Sequence, residues 1–213
     1  MIGPDEQLAL AYAPARLRAE YTALLEFDAI LGQAFKATNE VSLIQIRLAW
    51  WRDQLDRWSV SEPVAASLHA LMTRHNIGPD AFKTIIDGWA VLLDDLPYTD
   101  LQLAEYARQR GGGLFAVAAR LAGGAADDRA GAGWALSDFA RHCSHAGTAM
   151  RALALARDAL HGNVAARLPK SMRSFAILAR FAQGDCKRSR DEQRVAGSPH
   201  RIIQAIGFTL FAC

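Results

Sequence analysis

The sequence predicts an all-α fold, a single-domain helical bundle closing around one core. Three observations predict it. Apolar residues recur at helical spacing over almost the whole chain, no stretch alternates apolar and polar residues for the length of a strand, and glycine, proline and capping residues fall between the periodic segments. A chain of 213 residues with 51% in the AVILMFWYC set buries one sizeable core without covalent staples, so one domain over 1–213 is expected.

Helices are expected at about 15–37, 41–58, 63–75, 79–96, 100–122, 131–160, 170–182 and 199–211. In the first, Leu24, Asp28 and Leu31 fall in line, which puts an acid on or beside the apolar face. The second, "IRLAWWRDQL" at its centre, carries Ile44, Leu48, Trp51, Leu55 and Trp58 as one stripe. Beside that stripe, Arg52 with Asp56 and Asp53 with Arg57 are spaced to pair along the helix. Asn76-Ile77-Gly78-Pro79 ends the third and starts the fourth, whose Phe82, Trp89 and Leu93 share a stripe that should join Trp51 and Leu55 in one core. Leu96-Pro97-Tyr98-Thr99-Asp100 stops the fourth helix and caps the fifth, which Gly123-Gly124 ends. Inside the fifth, Gly111-Gly112-Gly113 costs about 1 kcal/mol per glycine relative to alanine, a cost that asks for a tight helix crossing or a kink at a cavity. The sixth runs to Leu160, the seventh follows Leu168-Pro169, and the last follows a charged stretch from Gly184 to Pro199 with Lys187, Arg188, Arg190 and Arg194.

A formal net charge of +2 announces no basic field for nucleic acid. Cys143, Cys186 and Cys213 are odd in number and lack CxxC spacing, which suits a reducing compartment, so a cytoplasmic protein is expected. The N-terminus lacks the pattern of a signal peptide, and no apolar run reaches a transmembrane length, so any contact with a bilayer is expected to be peripheral.

From the tryptophan helix onward, "IRLAWWRDQLDRW" and then "EPVAASLHALMTRHNIGPDAFKTIIDGWAVLLDDLPYTDLQLAEYARQRGGGLFAVAARLAGG" is similar to the squalene/phytoene synthase family in order and spacing. The resemblance covers roughly 20–124 and is weaker beyond. It implies the isoprenoid synthase type of helical bundle, here shortened at its C-terminus, and an enzyme that condenses two prenyl diphosphates. There the diphosphate leaves with the help of Mg²⁺ held by two DxxxD motifs, whose spacing puts both carboxylates on one helical face.

This chain departs from that pattern. Counted from Phe27, the acidic positions of the first motif fall near Gly32, Gln33 and Lys36, and the nearest carboxylate, Asp28, reads as a structural aspartate satisfied by a partner or as a displaced functional acid. The second motif falls on Gly147, Ala149, Arg151, Ala154, Arg157, Asp158 and Gly162 in one register, which keeps Arg157-Asp158 and loses the final acid. A rival register starts at Gly133 and leaves no matching aspartate. "RLAWWRD" and "RHNI" resemble the branch without aspartate motifs that includes the mitochondrial assembly factor of respiratory complex I.

The expectation is a pseudoenzyme with no cofactor and no metal, in an assembly or an isoprenoid- or lipid-binding role. The alternative is an active Mg-dependent prenyltransferase of terpenoid biosynthesis, with Asp28 and Asp158 as its catalytic candidates. Expected partners are a prenyl diphosphate or phospholipid, or a protein complex under assembly, and no nucleic acid. Arg47 and Arg157, with Trp89 and Phe115, are the candidate substrate-binding residues. With Arg52 they predict a net positive cavity that holds a phosphate without divalent ions. Asp87, Asp94 and Asp95 read as a helix flank or a polar cavity lip, and His142, Cys143 and His145 as a weak zinc pattern without a downstream pair.

Overall fold

A computed structural model describes residues 2–57, 62–125, 127–188 and 195–211. Trp58, Arg190, Arg194 and Cys213, named above, lie outside the described residues. Among those described there is no strand. The helices are α1 (Pro4–Leu10), α2 (Arg18–Ala37), α3 (Val41–Arg57), α4 (Pro63–His75), α5 (Asp80–Ala90), α6 (Asp100–Tyr106), α7 (Gly113–Leu121), α8 (Asp128–His142), α9 (Ala146–Ala159), α10 (Arg173–Asp185) and α11 (Pro199–Phe211). A π-helical segment, Ala107–Gly112, joins α6 to α7 without a break. Short 3₁₀ turns precede α2 and α10 and follow α5.

The punctuation behaves as its chemistry requires. Asn76 takes the left-handed conformation that closes α4, with φ 50°, and Thr99 caps α6 in a reciprocal capping box with Gln102. Two boundaries differ from the sequence expectation. The expected helix over 131–160 is two helices, because Cys143 is extended and His145 caps α9, its ring nitrogen accepting from the Thr148 backbone N–H. The expected helix over 79–96 leaves the α conformation after Ala90. An additional helix, α1, packs on α10 and α2.

One core runs through the described residues. Trp51, Leu55, Phe82 and Trp89 are buried in it, and Leu93 packs half-buried against it. Trp51 meets the Phe27 ring at 5.4 Å, while its neighbour Trp50 is 42% exposed. Asp53 and Arg57 pair along α3 as expected. Arg52 instead reaches Asp87 of α5, and Asp56 reaches Lys83 of α5 at 2.7 Å, so two of the four charges tie helices together.

Within the glycine triplet, Gly111 is required by a helix crossing, while a Cβ on Gly112 would meet open space. A Cβ on Gly111 would lie 2.1 Å from the Gly131 carbonyl oxygen of α8, so only glycine lets the two backbones meet there. Gly88 plays the same part on α5, where a Cβ would lie 2.3 Å from the Arg110 backbone nitrogen. These contacts hold the π segment between α5 and α8, and π segments inside helices often mark functional positions.

Candidate functional site

A cavity of about 430 Å³ opens among α1, α2, α5, the π segment and α8. Each helix contributes through residues that its periodicity turns inward. From α2 come Asp28, Gly32, Gln33 and Lys36; from α5 comes Trp89; from α8 come Asp138, Arg141 and His142. Asp5 and Glu6 of α1 close one side.

Arg110 organises this cavity. The π segment delivers a guanidinium that is 3% exposed at the residue level. Its Nε and Nη2 donate to the two Asp28 oxygens at 2.9 and 2.8 Å, a bidentate fork, and Nη1 donates to Asp138 Oδ2 at 2.8 Å and to the Tyr106 hydroxyl. The Trp89 indole N–H donates to Asp28 Oδ1 at 2.8 Å, and the guanidinium carbon sits 4.1 Å from the Trp89 ring centre and 4.9 Å from that of Trp134. Burial alone would favour neutral groups here. Against it, Asp28, the Tyr106 oxygen and Asp138 hold Arg110 protonated well above its ordinary range, and Arg110 keeps Asp138 below the ordinary carboxylate range despite its burial.

A second ionic cluster anchors the α1 side. Arg201 of α11, fully buried, reaches Asp5 at 3.3 Å and Asp185 of α10 at 2.6 Å, and Arg141 reaches the same two acids at 3.5 and 3.0 Å. Beside it, Glu6 has no ion-pair partner among the described residues. Its carboxyl is pushed up to about 7, first by burial and then by the charge of Asp138.

The structure gathers some of the residues singled out from sequence and disperses others. Asp28 and Trp89 lie in the cavity, with Asp28 fully engaged by its partners. Phe115 is completely buried away from it, edge-on to Phe175 at 5.0 Å. Arg47 lines an exterior groove between α2 and α3 with Ile46 and Trp50. Arg157 donates to the Cys186 carbonyl at 2.7 Å, Arg151 pairs with Asp100, and Asp158 is exposed on α9, so the register on α9 does not face the cavity. The Gly133 register lies on α8, which does.

The expected net positive cavity is corrected. Asp5, Glu6, Asp28 and Asp138 line it against Lys36, Arg110 and Arg141, because Arg47, Arg52 and Arg157 are all spent elsewhere. His142 Nδ1 donates to the Asp138 backbone carbonyl at 2.9 Å, and His145 Nδ1 caps α9, so each histidine of the pair makes a local structural hydrogen bond.

Gly32, Gln33 and Lys36, the positions to which counting from Phe27 assigns the first acidic motif, line the cavity. At Gly32 a Cβ would lie 2.9 Å from the Trp89 ring, so the indole occupies the space of a side chain there. Magnesium needs several oxygen ligands in near-octahedral array. The residues present do not fit it, since both Asp28 oxygens and one of Asp138 accept from Arg110, and among the described residues no group of three His, Cys, Asp or Glu side chains is placed to hold a metal.

The family model for squalene/phytoene synthase matches residues 3–172. The chain belongs to the squalene/phytoene synthase family. That match takes in α1 through α9 and all the cavity helices, a longer span than the motifs of the tryptophan helix and its successors had suggested. Searches for similar curated proteins and for similar solved structures returned no match. Among the described residues no helix is long and apolar enough to cross a membrane.

Arg110, Asp138 and Glu6 escaped the sequence reading. The one available signal was Arg110 directly before three glycines, a cation at a point where the backbone is free to bulge.

Proposed function

We propose that this squalene/phytoene synthase family member is a pseudoenzyme, a binding body that does not ionise prenyl diphosphates and needs no magnesium. The observation that carries this reading is the guanidinium of Arg110 forked onto Asp28 and bonded to Asp138. A metal cluster would have to displace a buried cation from both acids, and separating such a pair costs about 3–5 kcal/mol. Trp89 over Gly32 supports the same reading from the steric side.

A cavity of about 430 Å³ with aromatic and aliphatic walls lies within the usual range for small-molecule sites, which favours an isoprenoid-sized or lipid ligand. A docking role in the assembly of a protein complex is the second reading. Leu43, Ile46 and Trp50, exposed at 42%, 63% and 42% in one stripe along α3, favour it. The test is incubation of the protein with farnesyl or geranylgeranyl diphosphate and Mg²⁺, followed by chromatography. No squalene- or phytoene-like product is expected. Product that disappears in Asp138→Asn would overturn the proposal.

A further inference from the structure

The charge inside this cavity is arranged against an anion. Four of the five N–H donors of Arg110 are committed to Asp28, Asp138 and Tyr106. Arg141 and Arg201 share Asp5 and Asp185. The paired clusters therefore sum to an excess of acid at Asp28 and Asp138, and Glu6 adds a carboxyl with no cation of its own. That Asp138, Asp5 and Asp28 each push the Glu6 carboxyl up is the same negative field felt at a second point.

The groove beside the cavity carries the same sign. An outer groove of about 410 Å³ shares Phe35, Leu92, Phe139, His142 and Cys143 with the cavity and adds Asp94 and Asp95. Cavity and groove thus adjoin along a shared wall that includes Phe35, Leu92 and Phe139, and carboxylates line each of them. Lys36 is the cavity cation outside the two paired clusters, and it lies exposed on the last turn of α2.

We propose that this cavity, with the groove beside it, binds a cationic amphiphile, an organic ammonium on an extended apolar body, without a metal ion. The inference rests on the non-catalytic reading and names its ligand class. Phe35, Leu92 and Phe139 would cover the apolar body, and the ammonium would face Glu6 and Asp138 Oδ1, the oxygen that Arg110 leaves and that His142 approaches at 3.5 Å. A diphosphate of the same length would place its charge against those carboxylates while finding the guanidiniums already paired, and buried like charges repel strongly at short range.

Calorimetric titration with three probes of one tail, farnesylamine, farnesol and farnesyl diphosphate, tests this at pH 8 in EDTA and below their micellar concentrations. The amine should bind at least tenfold more tightly than the alcohol, as one charge-assisted hydrogen bond provides, and the diphosphate more weakly than either. Glu6→Gln should reduce the amine's affinity at least threefold and leave the alcohol's unchanged, and the melting temperature of the variant verifies that it folds. Equal affinity for amine and alcohol, diphosphate binding as tight as the amine's, or no binding of any probe would overturn the proposal. Turnover of the diphosphate with Mg²⁺ would instead overturn the non-catalytic reading, so the two failures are distinct.

Discussion

Replacing Arg110 with methionine removes the cation that Asp28 and Asp138 share and leaves a side chain of similar length. Asp28 is 6% exposed at its side chain and would keep the Trp89 indole N–H alone, while Asp138, at 21%, can recruit water and His142. Breaking a buried pair by deleting one partner costs about 3–5 kcal/mol, and most of that penalty here belongs to Asp28, the more deeply buried acid. For a domain of this size each kcal/mol moves the melting temperature by roughly 2–4 °C, so Arg110→Met should lower it by about 6–20 °C. Scanning calorimetry at pH 7 measures this directly. Adding Asp28→Asn to Arg110→Met removes the stranded charge and should recover at least about 1 kcal/mol relative to additivity, as coupled neighbours do. A drop below about 3 °C for Arg110→Met, or strict additivity in the double variant, would refute the claim that one guanidinium neutralises both acids.

Three further outcomes follow from the geometry. Gly32→Ala puts a methyl 2.9 Å from the Trp89 ring and should destabilise the protein by about 1–3 kcal/mol, visible as a lower urea midpoint, and Gly32→Asp should cost more without creating Mg²⁺ binding. Gly111→Ala meets a backbone oxygen rather than a movable ring, so its loss should reach about 3 kcal/mol or more by the same measurement. Glu6 gives a pH signature: its folded value near 7 exceeds the ordinary 4.5, so its contribution is full below about 4.5 and is lost as the pH rises to 7. Glu6→Gln, which keeps the neutral form, should therefore match the parent in melting temperature near pH 4.5 and exceed it at pH 8 by the equivalent of about 1–2 kcal/mol after discounting for solvent access, and equal melting at both pH values would contradict it.

The helices were legible wherever the chain announces its own ends. Asn76, Pro79, Thr99 and the stripe of Ile44, Leu48, Trp51 and Leu55 each act within a few residues of themselves, so their effect is written locally. Helix α1 was not, because its seven residues give barely two turns of periodicity, and the ties from Asp5 to Arg141, Arg201 and the Gly197 N–H lie far along the chain. The break at Cys143 was hidden by a histidine cap, which replaces the usual Ser, Thr, Asp or Asn.

The candidate site was legible on α2 and illegible in the contacts made across the fold. Gly32, Gln33 and Lys36 were found by counting from Phe27, and they do face the cavity. Arg110 meets Asp28 at a separation of 82 residues and Asp138 at 28, distances over which no periodicity or spacing carries information. The arginines that sequence placed in the cavity failed for the same reason, since the Asp87 and Cys186 groups that hold Arg52 and Arg157 come from other helices.

On the proposed reading, the Arg110 guanidinium stands where a diphosphate would otherwise be met by metal ions. The most direct test of this reading is a calorimetric titration of farnesyl diphosphate into the protein, first in EDTA and then in millimolar Mg²⁺. Weak or absent binding is expected, with no change in strength when Mg²⁺ replaces EDTA. Binding that appears only with Mg²⁺, and that is lost in Asp28→Asn or Asp138→Asn, would contradict it.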